Sequence, residues 1–259
     1  MSIAAYSKFN QYKNKIHSLS APTVNESLIN ETFLLEKDPK KKLEIYYAPF
    51  EHLNEQAKVV IVGITPGLHQ MKKSFETVWN LKEENLTDEE VLHEVKKNSS
   101  FEGPMRKNLI NMLDELNLPD HLGISSTSEL FKSSSHLVQT TSVLPYPVFY
   151  NGKNYSGSTP NIVKTEVLRE YILQSFPKEL VHMNNPLIVP LGVNVSKALS
   201  YLAEQGLIDS KSILNCFPHP SGGNGHRHRQ FAENKQQLME KMEAYFNSVQ
   251  PIQTFLFEY

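Results

Sequence analysis

Cysteine is almost absent, with Cys216 standing alone among 259 residues. One thiol excludes an intramolecular disulfide framework and any iron–sulfur cluster held by four thiolates of one chain. Long apolar runs are missing as well: no stretch approaches the ~20 apolar residues that cross a bilayer, so no membrane partner is expected. The opening Met1-Ser2-Ile3-Ala4-Ala5 has no basic start followed by an apolar core. No secretory signal is read there, and the cytoplasm is the expected compartment. Nor does one charge dominate, since 26 Lys and Arg against 28 Asp and Glu leave a net −2. That excludes a uniformly basic coat, and leaves any phosphate binding to local clusters such as Lys40-Lys41-Lys42 or His226-Arg227-His228-Arg229. Internal repeats are lacking, and low complexity is confined to Ser125 to Ser128 and Ser133 to Ser135.

The length suits one large α/β domain, read as residues 45–259, carrying an N-terminal extension of residues 1–44. Four apolar runs recur with helix-like spacers: Val59 to Val62, Leu137 to Leu144, Leu187 to Leu191, and Ser212 to Phe217. They are expected to form a four-stranded, mostly parallel sheet at the centre of a three-layer α/β/α fold, with the ligand site beyond the carboxyl ends of its strands. Ile45-Tyr46-Tyr47-Ala48 can make a further short strand before Pro49. Thr87-Asp88-Glu89-Glu90 has the reciprocal side-chain and backbone pattern that starts a helix. Helices are also expected over Met105 to Leu116, Ile162 to Gln174 and Val195 to Glu204. In the last helix Phe231, Leu238, Met242 and Phe246 form one apolar stripe, which reads as core.

Two strand exits carry the chemistry. Gly63-Ile64-Thr65-Pro66-Gly67 follows the first run and offers backbone N–H groups on a rigid turn. Taken alone, such a turn after a buried strand is more often structural. Phe217-Pro218-His219-Pro220-Ser221-Gly222-Gly223-Asn224-Gly225 follows the last run and holds one imidazole between two prolines. A lone histidine near an apolar strand would be a core histidine satisfied by backbone; the flanking motif favours a functional one. The glycines let backbone amides approach a phosphate, with Arg227 and Arg229 placed to neutralise it, or else the segment is a loop and a solvated helix start. No carboxylate or thiolate stands at a ligand-like spacing beside those histidines, so no metal site is expected.

In order along the chain, the Gly-x-x-Pro-Gly turn, Phe101-Glu102-Gly103-Pro104 before a helix, Thr140-Thr141-Ser142 with Pro145, Leu191-Gly192, and His219-Pro220-Ser221 resemble the motifs of the uracil-DNA glycosylase superfamily. The resemblance covers about residues 45 to 247 and implies that superfamily's fold. It implies a DNA partner, no cofactor, and a monomer. Its iron–sulfur branch is excluded by the cysteine count, leaving similarity to cluster-free relatives.

By this resemblance His219 donates a hydrogen bond to the departing base, Ser221 lies against a flanking phosphate, and Gly222, Gly223 and Asn224 continue the DNA contact. Gly63, Ile64, Pro66 and Gly67 border the base pocket. Phe101 is a stacking platform for an extruded base, or alternatively a core aromatic. Thr141 and Ser142 fall where uracil-excising relatives place an asparagine, and hydroxyls read a pyrimidine edge less strictly. Thr65 falls where relatives put Asp or Asn, so the attacking water is assigned to Thr65 with nearby backbone carbonyls, or to a carboxylate elsewhere, Glu102 being nearest in motif order. The loop from Pro145 to Ser158 offers Tyr146, Phe149 and Tyr155 as further pocket walls.

The leading expectation is therefore a monofunctional DNA glycosylase that hydrolyses the N-glycosidic bond of a flipped, modified or damaged pyrimidine and leaves an abasic site. Resemblance to host-defence enzymes points to modified cytosines of phage DNA. Plain uracil is the alternative substrate, and a catalytically silent nucleic-acid-binding domain is the alternative class.

Overall fold

The computed structural model describes residues 7–249. The helices are α1 (Ser7–His17), α2 (Asn25–Leu28), α3 (Leu68–Asn80), α4 (Asp88–Ser99), α5 (Pro104–Glu115), α6 (Leu118–Leu122), α7 (Glu166–Leu180), α8 (Val193–Glu204) and α9 (Arg227–Val249). The strands are β1 (Leu34–Asp38), β2 (Leu43–Tyr46), β3 (Val59–Gly63), β4 (Val138–Ser142), β5 (Val148–Tyr150), β6 (Lys153–Asn154) and β7 (Leu187–Pro190). No helix among the described residues is long and apolar enough to cross a membrane.

The fold is mixed α/β. Its parallel sheet has three strands in the order β4-β3-β7, with Val59 opposite both Val138 and Leu187. Every residue of β3 is buried, as its unbroken Val-Val-Ile-Val run requires of a strand covered on both faces. Val60 and Val62 pack with Met71 and Phe75 of α3, Val95 of α4 and Leu199 of α8, whereas Val59 and Ile61 pack with Leu109 of α5 and Leu238 and Met242 of α9. Each such fully buried side chain contributes about 1.5–3 kcal/mol.

The expected fourth parallel strand is reduced to a bridge. Ile213 pairs with Ile188 in parallel, and the Leu214 N–H donates to the Ile188 carbonyl at 2.8 Å. Beyond that point the Asn215 N–H turns back to the Ile213 carbonyl and Cys216 takes a φ of 73°, outside extended backbone, so no ladder continues.

A second sheet, antiparallel and in the order β1-β2-β5-β6, was not legible in the pattern. Its strand β2 holds Ile45 and Tyr46 and ends there. The boundary drawn between residues 44 and 45 runs through β2, and Phe9, Ile16, Leu28 and Phe33 are fully buried in the same core as Val60. Helix α7 starts later than its apolar spacing suggests, because the Asn161 side chain accepts from the N–H groups of Val163 and Lys164 and holds a turn there.

Helix α4 begins as its sequence states: Thr87 Oγ1 accepts from the Glu90 N–H and the Glu90 carboxylate accepts from the Thr87 N–H at 2.7 Å. That start aims α4 along the free edge of β4. There Lys96 Nζ donates to the Thr140 carbonyl at 2.6 Å, and Asn54 Nδ2 donates to the Val138 carbonyl at 2.9 Å. Side chains thus cap the carbonyls that an edge strand would offer to another chain.

Candidate functional site

Gly63 and Ser142 end β3 and β4 in register. A Cβ on Gly63 would stand 3.3 Å from Ser142 Oγ and 3.4 Å from Phe101 Cε1, so glycine is what lets the Phe101 ring lie against the strand end. Phe101 reaches there from the α4–α5 connection with φ at 49°, a conformation that bulky residues seldom adopt. Its neighbour Ser100 shares a 2.7 Å hydroxyl hydrogen bond with Thr140, and Arg106 donates to the Ser100 carbonyl. Phe101, Gly63 and Ser142 are therefore brought together as expected.

The turn after β3 is already satisfied from within. Thr65 Oγ1 donates to the Tyr146 carbonyl at 2.7 Å and accepts from the Val148 N–H at 3.0 Å, tying the parallel sheet to the antiparallel one. The Gly67 N–H donates to Gln70 Oε1 and the Leu68 N–H to Asn154 Oδ1, both at 3.0 Å. These amides are spent on capping α3. Ile64 packs against Gly157, where a Cβ would fall 2.7 Å from Ile64 Cδ1.

His219 sits past the carboxyl end of the opposite edge strand, against Gly192 after β7. Gly192 has φ at 94° and ψ at 171°, open essentially to glycine alone, and a Cβ there would lie 2.9 Å from the His219 Cβ. The loop around the imidazole is pinned three ways. Asn108 of α5 donates to the Pro220 carbonyl at 2.8 Å, Asn224 Nδ2 donates to the His219 carbonyl at 3.1 Å, and the Ser221 N–H donates to His219 Nδ1 at 3.2 Å. A backbone N–H can only donate, so Nδ1 is the acceptor and the neutral ring carries its proton on Nε2. Burial lowers the imidazole pKa below its ordinary value of 6.5, which keeps that neutral form at physiological pH.

Past His219 the glycines are free of structural duty. A Cβ at Gly222 or Gly225 would meet nothing within 4 Å, and neither these nor Gly223 takes a positive φ. Arg227 folds back to donate to the Asn224 carbonyl at 3.3 Å, while its buried Nε has no partner. Arg229 is exposed, 3.7 Å from Glu233.

A cavity of about 960 Å³ opens beside the free edge of β4, lined among others by Pro66, Phe101, Thr141, Ser142 and Tyr146. Glu102 is not on its wall; it is exposed and pairs with His69 at 3.2 Å. Thr141 is on the wall, but its hydroxyl donates to Glu179 at 2.8 Å. His219 is not among the residues that line this cavity. Phe149 and Tyr155 are buried elsewhere in the core. Several carboxylates and lysines line the cavity, and among them Glu51 and Lys96 stand beside β4 with a buried, partnerless Oε1 on Glu51 and a nearly buried Lys96. Neither has a motif around it, and only their shared burial beside β4 singles them out.

Over 237 residues, 91% of this chain and 92% of the other, the sequence is 39% identical to the uncharacterized protein YoxB of Bacillus subtilis strain 168. The chain belongs to the YoxB family. No family model matches it, and neither does any solved structure. What a YoxB-family protein does must therefore be argued from the site.

Proposed function

We propose that the chain is a DNA glycosylase of uracil-DNA glycosylase-like architecture, hydrolysing the N-glycosidic bond of an extruded, modified pyrimidine. The observation that carries this reading is His219: a neutral imidazole with Nε2–H as its free donor, buttressed by Gly192 and three loop hydrogen bonds. When the bond between the sugar and the base nitrogen breaks, negative charge develops on the base carbonyl. A donor that is already positioned needs no reorganisation to meet that charge, and removing one such donor costs about 3 kcal/mol, or 10²–10³ in rate.

Three further features support it. The Phe101 ring lies at the mouth of the parallel strands, where a planar heterocycle can stack. The glycines after Ser221 have room on their Cα faces for a backbone phosphate, which explains them where the fold does not. The cavity, about 960 Å³, shares the Phe101 ring with these strand ends, so a base stacked on Phe101 can carry a substituent into it while His219, which does not line the cavity, meets that base from the β7 side; this favours a substituted base over plain uracil.

A specific observation also favours the second reading, a silent DNA-binding domain. The Thr65 hydroxyl is committed to backbone and Glu102 faces outward, so neither is set to activate water. One experiment separates the two. DNAs containing uracil and diverse modified cytosines are incubated with wild type and His219→Ala, and released bases are identified by mass spectrometry. Release by wild type, slowed at least roughly a hundredfold by the substitution, is expected; no release from any DNA would leave the silent binder.

A further inference from the structure

Two ionisable groups inside the cavity have no role in the reaction as drawn above. Glu51 follows β2 on the segment running along the free edge of β4. Its Oε2 accepts a long 3.3 Å hydrogen bond from the Tyr47 hydroxyl, while Oε1 is buried with no partner at all. Lys96, on the facing side of α4, is only 8% exposed. Its ammonium has three N–H groups, and the hydrogen bond to the Thr140 carbonyl uses one.

Lys96 supports the charged form of Glu51, and Glu179 first and Glu51 next support the charged form of Lys96. Yet Lys96 forms no ion pair within 4.0 Å with any carboxylate among the described residues. Half-buried Glu179 is held by other partners: its two oxygens accept from Gln139 and Thr141. A carboxyl and an ammonium, both desolvated, both facing one cavity and held out of contact, cost stability unless something polar fits between them. Desolvated ionisable groups facing a cavity are what binding sites are built from.

We propose that Glu51 and Lys96 are the recognition pair of this cavity, the carboxyl accepting from an N–H of a neutral pyrimidine, the exocyclic amino group of a cytosine or the N3–H of a uracil, and the ammonium donating to its carbonyl oxygen. The inference rests on the reading of the cavity as a base pocket. An acceptor and a donor on one wall favour a neutral ligand that presents one donor and one acceptor, as cytosine, through its amino group and O2, and uracil, through N3–H and a carbonyl, both do. Tyr146 and Phe101 supply flat apolar walls on the same cavity. Recognition by this pair leaves Thr141 and Ser142 free of the edge-reading duty that their hydroxyls serve poorly.

The test uses the whole chain and free cytosine, 5-hydroxymethylcytosine and uracil, with binding followed by saturation-transfer NMR. Wild type is expected to bind at least one of them. Glu51→Met and Lys96→Met should each weaken that binding roughly tenfold or more, as loss of a hydrogen bond to a charged group does. Exposed Glu115→Gln should bind as wild type. Glu51→Met removes a carboxyl whose Oε1 has no partner and should unfold at no lower temperature than wild type, whereas Lys96→Met strands the Thr140 carbonyl and should unfold at a lower temperature, so its binding is measured where circular dichroism shows it folded. Absence of binding by wild type, or binding unchanged in both folded variants, overturns the proposal. Its fate is separable from that of the glycosylase reading: binding lost in the variants without base release by wild type keeps the pair and removes the enzyme. Base release from DNA at full rate in both variants keeps the enzyme and removes the pair.

Discussion

Replacing Glu51 by glutamine gives the sharpest physical test of the buried site, because Glu51 and its neighbour His52 pull stability in opposite directions with pH. Burial raises the Glu51 carboxyl from 4.5 to about 7. Burial likewise lowers the His52 imidazole from 6.5 to about 3, with Lys96 and His93 adding to the shift. Between pH 4.5 and 7 the unfolded chain gives up the Glu51 proton before the folded one does, so this group alone makes stability fall as pH rises. Between pH 3 and 6.5 the unfolded chain takes up a proton that folded His52 refuses, so that group alone makes stability rise. Each slope is about 1.4 kcal/mol per pH unit, and over the shared window they cancel. Glu51→Gln keeps the shape and deletes one slope. Relative to wild type, the variant should gain about 2.7 kcal/mol between pH 4.5 and 6.5. Urea unfolding at half-unit pH steps, followed by far-UV circular dichroism, measures the difference, and the remaining titrating groups drop out of it. A difference between the two proteins that is flat across this window would refute the burial of an ionisable carboxyl at residue 51, and with it the desolvated pair.

Three other substitutions probe the sheet edge. Gly192→Ala forces a side chain into a glycine-only conformation 2.9 Å from the His219 Cβ, and should cost about 1–3 kcal/mol while slowing base release as far as His219→Ala does; release at the wild-type rate would mean that Gly192 does not position the imidazole. Thr65→Val strands the Tyr146 carbonyl and the Val148 N–H, and should lower stability by about 1–3 kcal/mol with little change in rate per folded molecule. Unchanged stability with abolished activity would return Thr65 to the chemistry. Phe101→Ala should destabilise by about 3–5 kcal/mol as a buried aromatic and weaken DNA binding by about 1–3 kcal/mol as a stacking surface. A stability loss with unchanged affinity would make the ring core alone.

Several elements could be read directly because their signals are local. The reciprocal bonds of Thr87 and Glu90, the apolar stripe Phe231, Leu238, Met242 and Phe246, and the unbroken apolar run of β3 each lie within one element. The antiparallel sheet escaped notice because β1 has exposed Glu36 and Lys37 and no clean alternation, while β5 and β6 total only a few residues in a stretch read as loop. Their pairing is a property of partners far apart in sequence, as Leu43 opposite Tyr150 illustrates.

For the site, the chain order of turn, aromatic and hydroxyls was enough to collect Gly63, Phe101 and Ser142 at the ends of β3 and β4, while His219 stands against Gly192 after β7, on the other side of β3. Sequence by itself determined the parallel core and the residue types at its strand ends, because covalent spacing and side-chain periodicity act locally. Tertiary structure alone decided what those residues have left to offer: Thr65 and Glu102 are spent on other partners, and His219 keeps Nε2–H. It alone selected Glu51 and Lys96, since desolvation and an unfilled hydrogen bond exist only once distant segments close around them.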